Sequence, residues 1–423
     1  MNYPDSVQFL YALGNEIRTA KLGLERIRAV LDALGRPQNR CRFVHVAGTN
    51  GKGSTCAMIE SGLRAAGMRT GLFTSPHLAE PAERIRIDGR PVDAGRFAAA
   101  FDRVHRTVEE LIEAGAIDLH TTYFETVTAM ALLIFAEERT EMAVLEVGLG
   151  GRLDATNVVR PELCVVTPID FDHEAFLGRG LESIAAEKAG ILKPGVPAVF
   201  ARQRPEAGPV LDARAERVGA PVARTSGLLI DALELHPRGS RFTVGQASQP
   251  ALVVDCPLAG EHQVENAVTA ALALRTLGVP DASIRAGIAG ARWPGRLERI
   301  SESPEIVLDG AHNPAAARAL AAYIERFYGD RRVRLIYGAM RDKSVAEIGG
   351  ILFPLAQEVI VTAPRQSRAI APEALRGVVD HPNVCVAARL EDALAETPGD
   401  AVTFITGSLF LVAEARAILA PGA

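Results

Sequence analysis

The sequence lacks long apolar runs, basic blocks and paired cysteines, and each absence excludes a class of protein. No apolar run approaches the ~18 residues that a membrane-spanning helix requires, so we expect no membrane partner. The net charge is −5 without a basic cluster, which argues against a nucleic-acid partner but does not exclude small anionic ligands. The five cysteines are scattered without a CxxC pair and indicate reduced thiols. Because no signal-peptide pattern is present, we expect a cytoplasmic protein.

Apolar, strand-like runs alternate with helical periodicity over most of the chain. Its 423 residues exceed one compact core, and its composition is globular, with 48% hydrophobic and 23% charged residues, so we expect two domains. Strands are predicted at 42–47, 70–74, 142–147, 163–167 and 197–201, with helices at 52–66, 95–114 and 122–138. Buried strands separated by helices predict a mostly parallel sheet that is covered on both faces.

Two regions interrupt this alternation. Short strand-like pieces within 220–258 predict a small antiparallel insertion, and a helix is predicted over 261–278. In "GARWPGRLE", at 290–298, glycine and proline flank the only tryptophan, and five further strands with intervening helices follow. We therefore predict an α/β protein with a P-loop ATPase-type parallel-sheet domain over residues 1–295. A smaller Rossmann-like α/β domain is predicted over residues 296–423, with a cleft between the two domains.

Polar loops follow almost every predicted strand, and one of them has the composition of a phosphate-binding loop. Ligands of open parallel sheets bind outside the carboxyl ends of the strands, so we expect the chemistry at that edge. In "GTNGKGST", Gly48, Gly51 and Gly53 allow backbone N–H groups to turn inward, and Lys52 supplies a charge for phosphates at a helix N-terminus. The spacing departs from the common P-loop because Gly53 separates Lys52 from Ser54. The alternative is a glycine-rich turn that only joins strand to helix.

Four further side chains are candidates for metal or phosphate chemistry, and each has a structural alternative. Glu146 ends a buried strand, where a carboxylate is costly unless it is paired or bound to a metal; otherwise it is a capped surface residue. His173 accompanies two aspartates in "DFDH", although a lone histidine is usually structural. Ser75 is either a magnesium ligand or a turn serine before a proline. The spacing around Lys188 alone indicates a solvated lysine near a helix C-terminus.

The remaining motifs narrow the class of chemistry. No set of serine, histidine and aspartate suggests a nucleophilic triad, and "GLGGRL" only partly matches a dinucleotide-binding fingerprint. With one phosphate-binding loop and no redox signal, chemistry at an activated phosphate is favoured. Such a loop alone does not choose between transfer to water, to a carboxylate or to a hydroxyl.

A series of motifs along nearly the whole chain resembles one enzyme family. These are, in order between residues 47 and 410, "AGTNGKGST", "TSPHL", "ERIRIDG", "TYFE", "LEVGLGGRLDATN", "DHEAFLG", "IAAEKAGI", "WPGRLE", "LDGAHNP", "MRDK" and "TGSLF". The chain resembles the dihydrofolate synthase/folylpolyglutamate synthase family of the Mur ligase superfamily. The runs "EVGLGGRLDATN" and "DGAHNP" are specific to that family, whereas the phosphate loop is shared across the superfamily.

The resemblance implies an ATP-dependent ligation in folate biosynthesis and one-carbon metabolism. In it, ATP phosphorylates the carboxylate of dihydropteroate or of a folate to an acyl phosphate, and the amine of L-glutamate displaces the phosphate to form an amide. The resemblance implies ATP, two Mg²⁺ sites and K⁺ as cofactors, small-molecule substrates and a monomer. Such a reaction needs phosphate positioning and metal neutralisation more than a protein nucleophile.

The resemblance also implies roles for individual residues. Contacts with ATP are implied for Gly51, Lys52, Gly53, Ser54, Asn266, Arg296 and Asp309. Magnesium ligands are implied at Ser75, Glu146, His173 and Lys188, the last as a carbamate. Contacts with the pterin substrate are implied for Thr122, Tyr123, Phe124, Glu125, Leu153, Asp154 and Ala155, and contacts with the acidic amino acid for His312, Lys343 and Ser408. Catalytic roles are implied for Lys52, His173, Lys188 and for Arg296, which lies at the expected interdomain hinge.

Departures from the family pattern leave alternatives open. Lys21, in "KLGLERI", stands where some bifunctional members have an acidic residue, and "DFDHEAF" is looser than the usual wording, so folylpolyglutamate synthesis alone is one alternative. A Mur-type ligase acting on a UDP-sugar is another, but it usually has an extra N-terminal domain, for which the residues before the phosphate loop leave no room. A nucleotide-binding regulator is the non-enzymatic alternative. It would not need Lys52, Glu146, His173 and Lys188 together.

Overall fold

The computed structural model describes residues 1–13, 23–178, 180–246, 249–378, 380–395 and 399–420, and Lys21 lies outside these described residues. The chain forms two compact units. The first comprises Met1–Ile230, Val244–Val253 and Glu265–Ala291, and the second comprises Asp231–Thr243, Val254–Val264 and Arg292–Ala423. Among the helices that the structure describes, none has the length and apolar character needed to cross a bilayer.

Helices and strands alternate along the chain. The helices are α1 (Tyr3–Ala12), α2 (Glu25–Ala33), α3 (Lys52–Ala65), α4 (Ala94–Glu113), α5 (Tyr123–Glu137), α6 (Glu174–Leu177), α7 (Leu181–Ala189), α8 (Gly208–Val218), α9 (Glu261–Thr276), α10 (Asp281–Gly290), α11 (Pro314–Tyr328), α12 (Val345–Leu352), α13 (Pro372–Arg376), α14 (Leu390–Leu394) and α15 (Leu409–Leu419). The strands are β1 (Arg42–Ala47), β2 (Thr70–Phe73), β3 (Ile85–Ile87), β4 (Arg90–Pro91), β5 (Met142–Glu146), β6 (Leu163–Val166), β7 (Ala198–Phe200), β8 (Val222–Arg224), β9 (Leu229–His236), β10 (Gly239–Gln246), β11 (Gln249–Cys256), β12 (Glu298–Glu302), β13 (Glu305–Leu308), β14 (Val333–Tyr337), β15 (Glu358–Val361), β16 (Val384–Val386) and β17 (Val402–Thr406).

The first unit contains an eight-stranded sheet in the order β4-β3-β2-β5-β1-β6-β7-β8. The neighbouring strands β2, β5, β1, β6, β7 and β8 pair in parallel, which confirms the predicted parallel sheet. Strands β3 and β4 add an antiparallel edge that the sequence analysis did not predict. Apolar side chains of α2, α4 and α5 form a core with Phe43, Phe73 and Leu145, and those of α7 and α8 form another with Cys164 and Val166. The carboxyl ends of β2, β5, β1 and β6 therefore lie side by side.

The second unit contains a six-stranded sheet in the order β12-β13-β17-β14-β15-β16. The five predicted strands pair in parallel, and β12 adds an antiparallel edge. Buried aromatic side chains, including Tyr337, Phe353 and Phe404, pack against this sheet. The strand-rich region predicted within 220–258 forms a three-stranded sheet in the order β11-β10-β9, and its residues are divided between the two units.

Candidate functional site

The predicted phosphate loop connects β1 to the first turn of α3. Gly48 has a φ of 149°, and a Cβ there would overlap the Thr167 Oγ1, so this position requires glycine. The Thr49 N–H donates to the Pro168 carbonyl at 3.0 Å, which fixes the loop against the segment after β6. Helix α3 then begins at Lys52. The first N–H groups of a helix have no acceptor within the helix, so this end can bind an anion.

Two lysine side chains converge on the carbonyl oxygen of Gly48. Lys52 Nζ donates to this oxygen at 3.2 Å, and Lys188 Nζ, from α7, donates to it at 2.7 Å. Lys188 is only 6% exposed, so the interpretation of a solvated lysine, drawn from spacing alone, is wrong. Burial and then the Lys52 charge lower the pKa of Lys188 to about 7, while Asp172 and Asp154 act in the opposite direction. The loop thus concentrates positive charge beside an amine that is readily deprotonated.

Glu146 lies at the carboxyl end of β5, beside the residue that follows β2. Its side chain is 4% exposed, which excludes the alternative of a capped surface glutamate. The Ser75 N–H donates to Glu146 Oε2 at 3.1 Å. This contact arises because β2 and β5 are neighbouring parallel strands whose ends coincide. The structure therefore brings together two of the four predicted magnesium ligands.

His173 follows β6 and caps the short helix α6 with a left-handed backbone, at a φ of 54°. Its backbone N–H donates to the Asp172 carboxylate at 2.9 Å, and its ring Nε2 lies 3.8 Å from the same carboxylate. Among the residues that the structure describes, no three His, Cys, Asp or Glu side chains form a metal-binding group. One buried carboxylate beside a serine nevertheless suits Mg²⁺, which keeps several waters and takes one or two protein carboxylates with substrate phosphates.

Asn266 of α9 lies against the phosphate loop, as the resemblance implies for an ATP contact. Gly51, at the N-cap of α3, has a φ of 81°, and a Cβ there would lie 2.1 Å from Asn266 Oδ1. Ser54 and Asn266 are both buried. Gly51 therefore serves two purposes, because it provides the left-handed turn and leaves space for the Asn266 amide.

Phe124, in the first predicted pterin-binding segment, packs against the start of the loop that carries the second segment. Thr122 and Glu125 form a capping box at the start of α5, in which the Thr122 N–H donates to Glu125 Oε2 at 2.8 Å. A Cβ at Gly148 would lie 2.5 Å from Phe124 Cζ, so the start of the loop after β5 packs directly on this ring. Tyr123 is buried beside it. The same loop carries Leu153, Asp154 and Ala155.

The Asp154 carboxylate organises this loop from within. It is buried, and it accepts hydrogen bonds from the N–H groups of Gly148 at 3.1 Å, Leu149 at 2.9 Å and Thr156 at 3.0 Å. The Thr156 hydroxyl donates a further, short hydrogen bond. Burial raises the pKa of Asp154, and these hydrogen bonds oppose the rise.

Two arginines beside the pterin segments, the buried Arg84 and the partly buried Arg26, are absent from the predicted site residues. An Arg26 guanidinium nitrogen lies 3.1 Å from Glu125 Oε2. The Arg84 guanidinium lies 5.0 Å from the centre of the Tyr123 ring, and its Nε donates to His77 Nδ1 at 2.8 Å. Burial and the Arg84 charge lower the pKa of His77 to about 3, so this ring is neutral. The sequence gives little signal for either residue: Arg26 lies near leucines and an isoleucine in "LGLERI", and Arg84 lies among charged residues in "ERIRIDG".

In the second unit, Asp309, which follows β13, lies close to Arg296, which precedes β12. Asp309 accepts hydrogen bonds from the N–H groups of Leu297 and Ala311, each at 3.0 Å. Burial raises the pKa of Asp309, and the Arg296 charge opposes the rise. A Cβ at Gly310 would overlap Arg296 Nη1, so this glycine leaves the space that the guanidinium occupies. The two predicted ATP contacts of this unit are therefore neighbours.

The residues predicted to contact the acidic amino acid follow the adjacent strands β13, β17 and β14. His312 Nδ1 lies 2.8 Å from the Gly310 carbonyl oxygen. Ser408 caps α15, and its hydroxyl accepts the Phe410 N–H at 3.1 Å. Lys343 Nζ lies 4.0 Å from an Asp342 carboxylate oxygen. Parallel neighbouring strands place these loops at one edge of the sheet.

Comparison with known proteins agrees with this arrangement. Residues 46–274 match the Mur ligase middle domain, and residues 295–409 match the Mur ligase glutamate ligase domain. A dihydrofolate synthase/folylpolyglutamate synthase of Bacillus subtilis is 35% identical over 410 residues, which cover 94% of each chain. The chain also spans about half the length of two other curated relatives that it matches at 38% identity.

Solved structures of folylpolyglutamate synthases also match this chain over almost its whole length. The Mycobacterium tuberculosis folylpolyglutamate synthase complexed with ADP and AMPPCP has a TM-score of 0.91 and 34% identity, covering 99% of both chains. The E. coli FolC complex with DHPP and ADP has a TM-score of 0.88 and 32% identity, covering 99% of this chain and 97% of that one. These matches confirm the predicted α/β architecture with its large parallel-sheet domain and second α/β domain. The chain belongs to the dihydrofolate synthase/folylpolyglutamate synthase family of ATP-dependent ligases, within the Mur ligase superfamily.

Proposed function

We propose that this chain joins L-glutamate to the carboxylate of dihydropteroate, of reduced folates or of folylpolyglutamates, with conversion of ATP to ADP and phosphate. The observation that carries the proposal is the convergence of Lys52 and Lys188 on the Gly48 carbonyl at a helix N-terminus. The Lys52 cation and the first amides of α3 favour a polyphosphate, and the Lys188 amine lies beside the same loop. The DHPP and ADP bound by the E. coli relative support a pterin acid and a nucleotide as partners.

The reaction places modest demands on the side chains. A carboxylate oxygen of the pterin acid attacks the γ-phosphorus of ATP, the bond to the leaving ADP breaks, and an acyl phosphate forms. The glutamate amine then attacks the acyl carbon, phosphate leaves, and the amine proton passes to solvent. No protein nucleophile takes part, so the chain acts by binding and orienting the reactants. Lys52 and the N–H groups of residues 51–54 stabilise the charge on the transferring phosphoryl group.

Glu146, Ser75 and His173 are proposed to hold one magnesium ion, and Lys188, as a carbamate, to help hold a second. When bound, magnesium neutralises phosphate charge. Glu146 fits this role because it is a buried carboxylate at the sheet edge, beside Ser75. Lys188 fits carbamylation because its burial favours the neutral amine, the form that can react with carbon dioxide. The K⁺ that the resemblance implies is kept as part of this proposal.

The remaining residues divide between the three substrates in this proposal. Asn266, Arg296 and Asp309 contact ATP. The pterin acid contacts residues 122–125 and 153–155, and L-glutamate contacts His312, Lys343 and Ser408. Residues 1–295 then serve as the ATP-binding domain and residues 296–423 as the glutamate ligase domain of a monomeric cytoplasmic enzyme. The longest segment of the second unit begins at Arg292, which supports a boundary close to residue 296.

Isotope transfer tests the proposal directly. Dihydropteroate labelled with ¹⁸O in its carboxylate is incubated with the purified chain, MgATP and L-glutamate, and the released phosphate is analysed by mass spectrometry. An acyl phosphate transfers one carboxylate oxygen to each phosphate, so labelled phosphate is expected. Unlabelled phosphate in a reaction that releases ADP would indicate hydrolysis by a nucleotide-binding regulator. The Lys52→Ala variant controls for contaminating ligase activity.

A further inference from the structure

Three buried side chains link the strand before the phosphate loop to the loop that carries predicted pterin contacts. His45 lies in β1 and is 0% exposed. Its Nε2 lies 2.8 Å from Thr156 Oγ1, and the Thr156 hydroxyl donates to Asp154 Oδ1. His45 and Thr156 are 111 residues apart in the sequence, so only the fold brings them together.

The direction of each hydrogen bond in this chain follows from the atoms. A hydroxyl has one hydrogen, and that of Thr156 goes to the Asp154 carboxylate, so its oxygen accepts from His45. His45 is therefore the tautomer with hydrogen on Nε2. Burial lowers the pKa of His45 to about 3, and the Lys193 charge acts in the same direction, which keeps the ring neutral. Its Nδ1 has no hydrogen-bond partner within the part of the chain that the structure describes.

The Asp154 carboxylate has no capacity left for a substrate. Each oxygen accepts two hydrogen bonds, Oδ2 from Gly148 and Leu149 and Oδ1 from the backbone and hydroxyl of Thr156. An ionised carboxylate offers about four acceptor positions, and all four are used. The Asp154 side chain therefore acts on its own loop, and the contact with the pterin acid that we propose for Asp154 is left to its backbone.

A purely structural role explains His45 poorly. Its neighbours in β1, Val44 and Val46, are apolar and fully buried, and an apolar residue would fill this position without leaving a ring nitrogen unsatisfied. The cost of burying the imidazole is offset only if the Thr156 and Asp154 geometry matters. That geometry fixes the backbone of residues 148–156, which begins against Phe124 and includes residues 153–155.

We infer that His45, Thr156 and Asp154 form a positioning chain that holds the loop 148–156 in the shape required by the pterin acid. The inference rests on the proposed function, because it deepens the assignment of that loop. In the proposed function these three side chains contact neither ATP nor the reacting carboxylate, so His45 and Thr156 are positioning residues. Its loss is expected to weaken binding of the pterin acid while leaving ATP use unchanged.

Thr156→Val tests the positioning chain, since valine keeps the shape of threonine and removes the hydroxyl. The KM for dihydropteroate is expected to rise about tenfold or more, because a hydrogen bond to a buried carboxylate is lost, whereas kcat and the KM for ATP change less than about twofold. Thr156→Ser keeps the hydroxyl and should restore the parent KM. Thr140→Val is the matched control: Thr140 is also buried, its Oγ1 has no hydrogen-bond partner among the described residues, and it precedes β5 at the opposite sheet edge.

Hydrogen exchange gives a readout that does not depend on turnover. In the free protein, the amides of Gly148 and Leu149 should exchange about tenfold or more faster in Thr156→Val than in the parent, but not in Thr140→Val. His45→Leu should accelerate the same amides from the other end of the chain, and His45→Gln, which retains a donor, should do so less. These comparisons decide the inference even if Thr156→Val proves too unstable for kinetics.

Several results would overturn the positioning chain. Unchanged KM for dihydropteroate in a folded Thr156→Val, or an equally raised KM in Thr156→Ser, would show that the hydroxyl is not what matters. Exchange that is unchanged at residues 148 and 149 would exclude control of the loop. Failure of the parent to use any pterin acid would refute the proposed function instead, and the exchange data would still decide whether the chain holds the loop.

Discussion

Gly51 and Gly67 lie at the two ends of α3 and allow a matched test of the phosphate site. Their φ angles are 81° and 85°, so alanine at either position adopts the same unfavourable left-handed backbone. A Cβ at Gly67 would have no atom within 4 Å, whereas one at Gly51 would lie 2.1 Å from Asn266 Oδ1. Comparing Gly51→Ala with Gly67→Ala therefore separates the steric effect on Asn266 from the backbone strain.

The expected magnitudes follow from these distances. Each alanine costs roughly 1–2 kcal/mol of unfolding free energy for the left-handed backbone. At Gly51 the buried Asn266 amide must also move by about 1 Å to reach ordinary van der Waals separation, and the phosphate loop moves with it. A displacement of that size can weaken a positioned contact by about 10- to 100-fold. We therefore expect Gly51→Ala to raise the dissociation constant for AMPPCP by that factor, and Gly67→Ala to change it less than about twofold.

Calorimetric titration with AMPPCP and magnesium, together with denaturant unfolding, measures both effects. Both variants should lose unfolding free energy, Gly51→Ala by the larger amount because of its added overlap with Asn266, and only Gly51→Ala should lose nucleotide affinity. Equal nucleotide affinity in the two variants would refute the placement of Asn266 and Gly51 in the ATP site. A loss confined to Gly67→Ala would refute the steric argument itself.

Changes at three further residues test other parts of the site. Lys52→Ala should lower kcat by ~10²-fold or more if Lys52 stabilises the transferring phosphoryl group, and unchanged kcat in a folded variant would contradict this. Glu146→Gln should raise the magnesium concentration for half-maximal activity; coincident titrations would remove Glu146 from the ligand set. Burial and the Lys52 charge lower the pKa of Lys188 from its ordinary value of 10.5 to about 7 in the folded protein. Between about pH 7 and 10.5 the unfolded protein therefore binds more protons than the folded protein, so the free energy of unfolding rises with pH over this range. In carbonate-free buffer this rise should be seen in the parent but not in Lys188→Met. An equal slope in both proteins would show that Lys188 is solvated, and Lys188→Ala should be inactive unless a small carboxylic acid replaces the missing anion.

Features encoded locally could be predicted from the sequence. The phosphate loop is one, because its glycines, Lys52 and the start of α3 are contiguous and their conformational demands are specific. The parallel sheets are another, since apolar strands between helices can be buried in few ways. Residues that follow neighbouring parallel strands share one sheet edge, which predicts that Ser75 and Glu146 lie together, and the Ser75 N–H does donate to Glu146.

Features that depend on distant pairing could not be predicted in this way. Lys188 appears solvated from its spacing, and only the packing of α7 against the phosphate loop buries it. In the sequence Arg26 and Arg84 look like surface charges. In the fold Arg26 pairs with Glu125 and Arg84 lies over the Tyr123 ring, and both partners belong to α5. The chain from His45 to Asp154 requires both the strand order and the loop conformation, neither of which leaves a local pattern. The edge strands β3 ("IRI") and β12 ("ERISE") contain charged residues and lack the continuous apolar runs that indicate the buried strands.

A substrate panel tests the central claim most directly. The purified chain is incubated with MgATP, L-glutamate and, in turn, dihydropteroate, dihydrofolate or tetrahydrofolate, and both ADP and the mass of the pterin product are measured. We predict that at least one of these acids gains a glutamyl residue, with one ADP released for each amide formed. ADP release without a heavier pterin product, with all three acids and in a chain that binds ATP, would contradict the account.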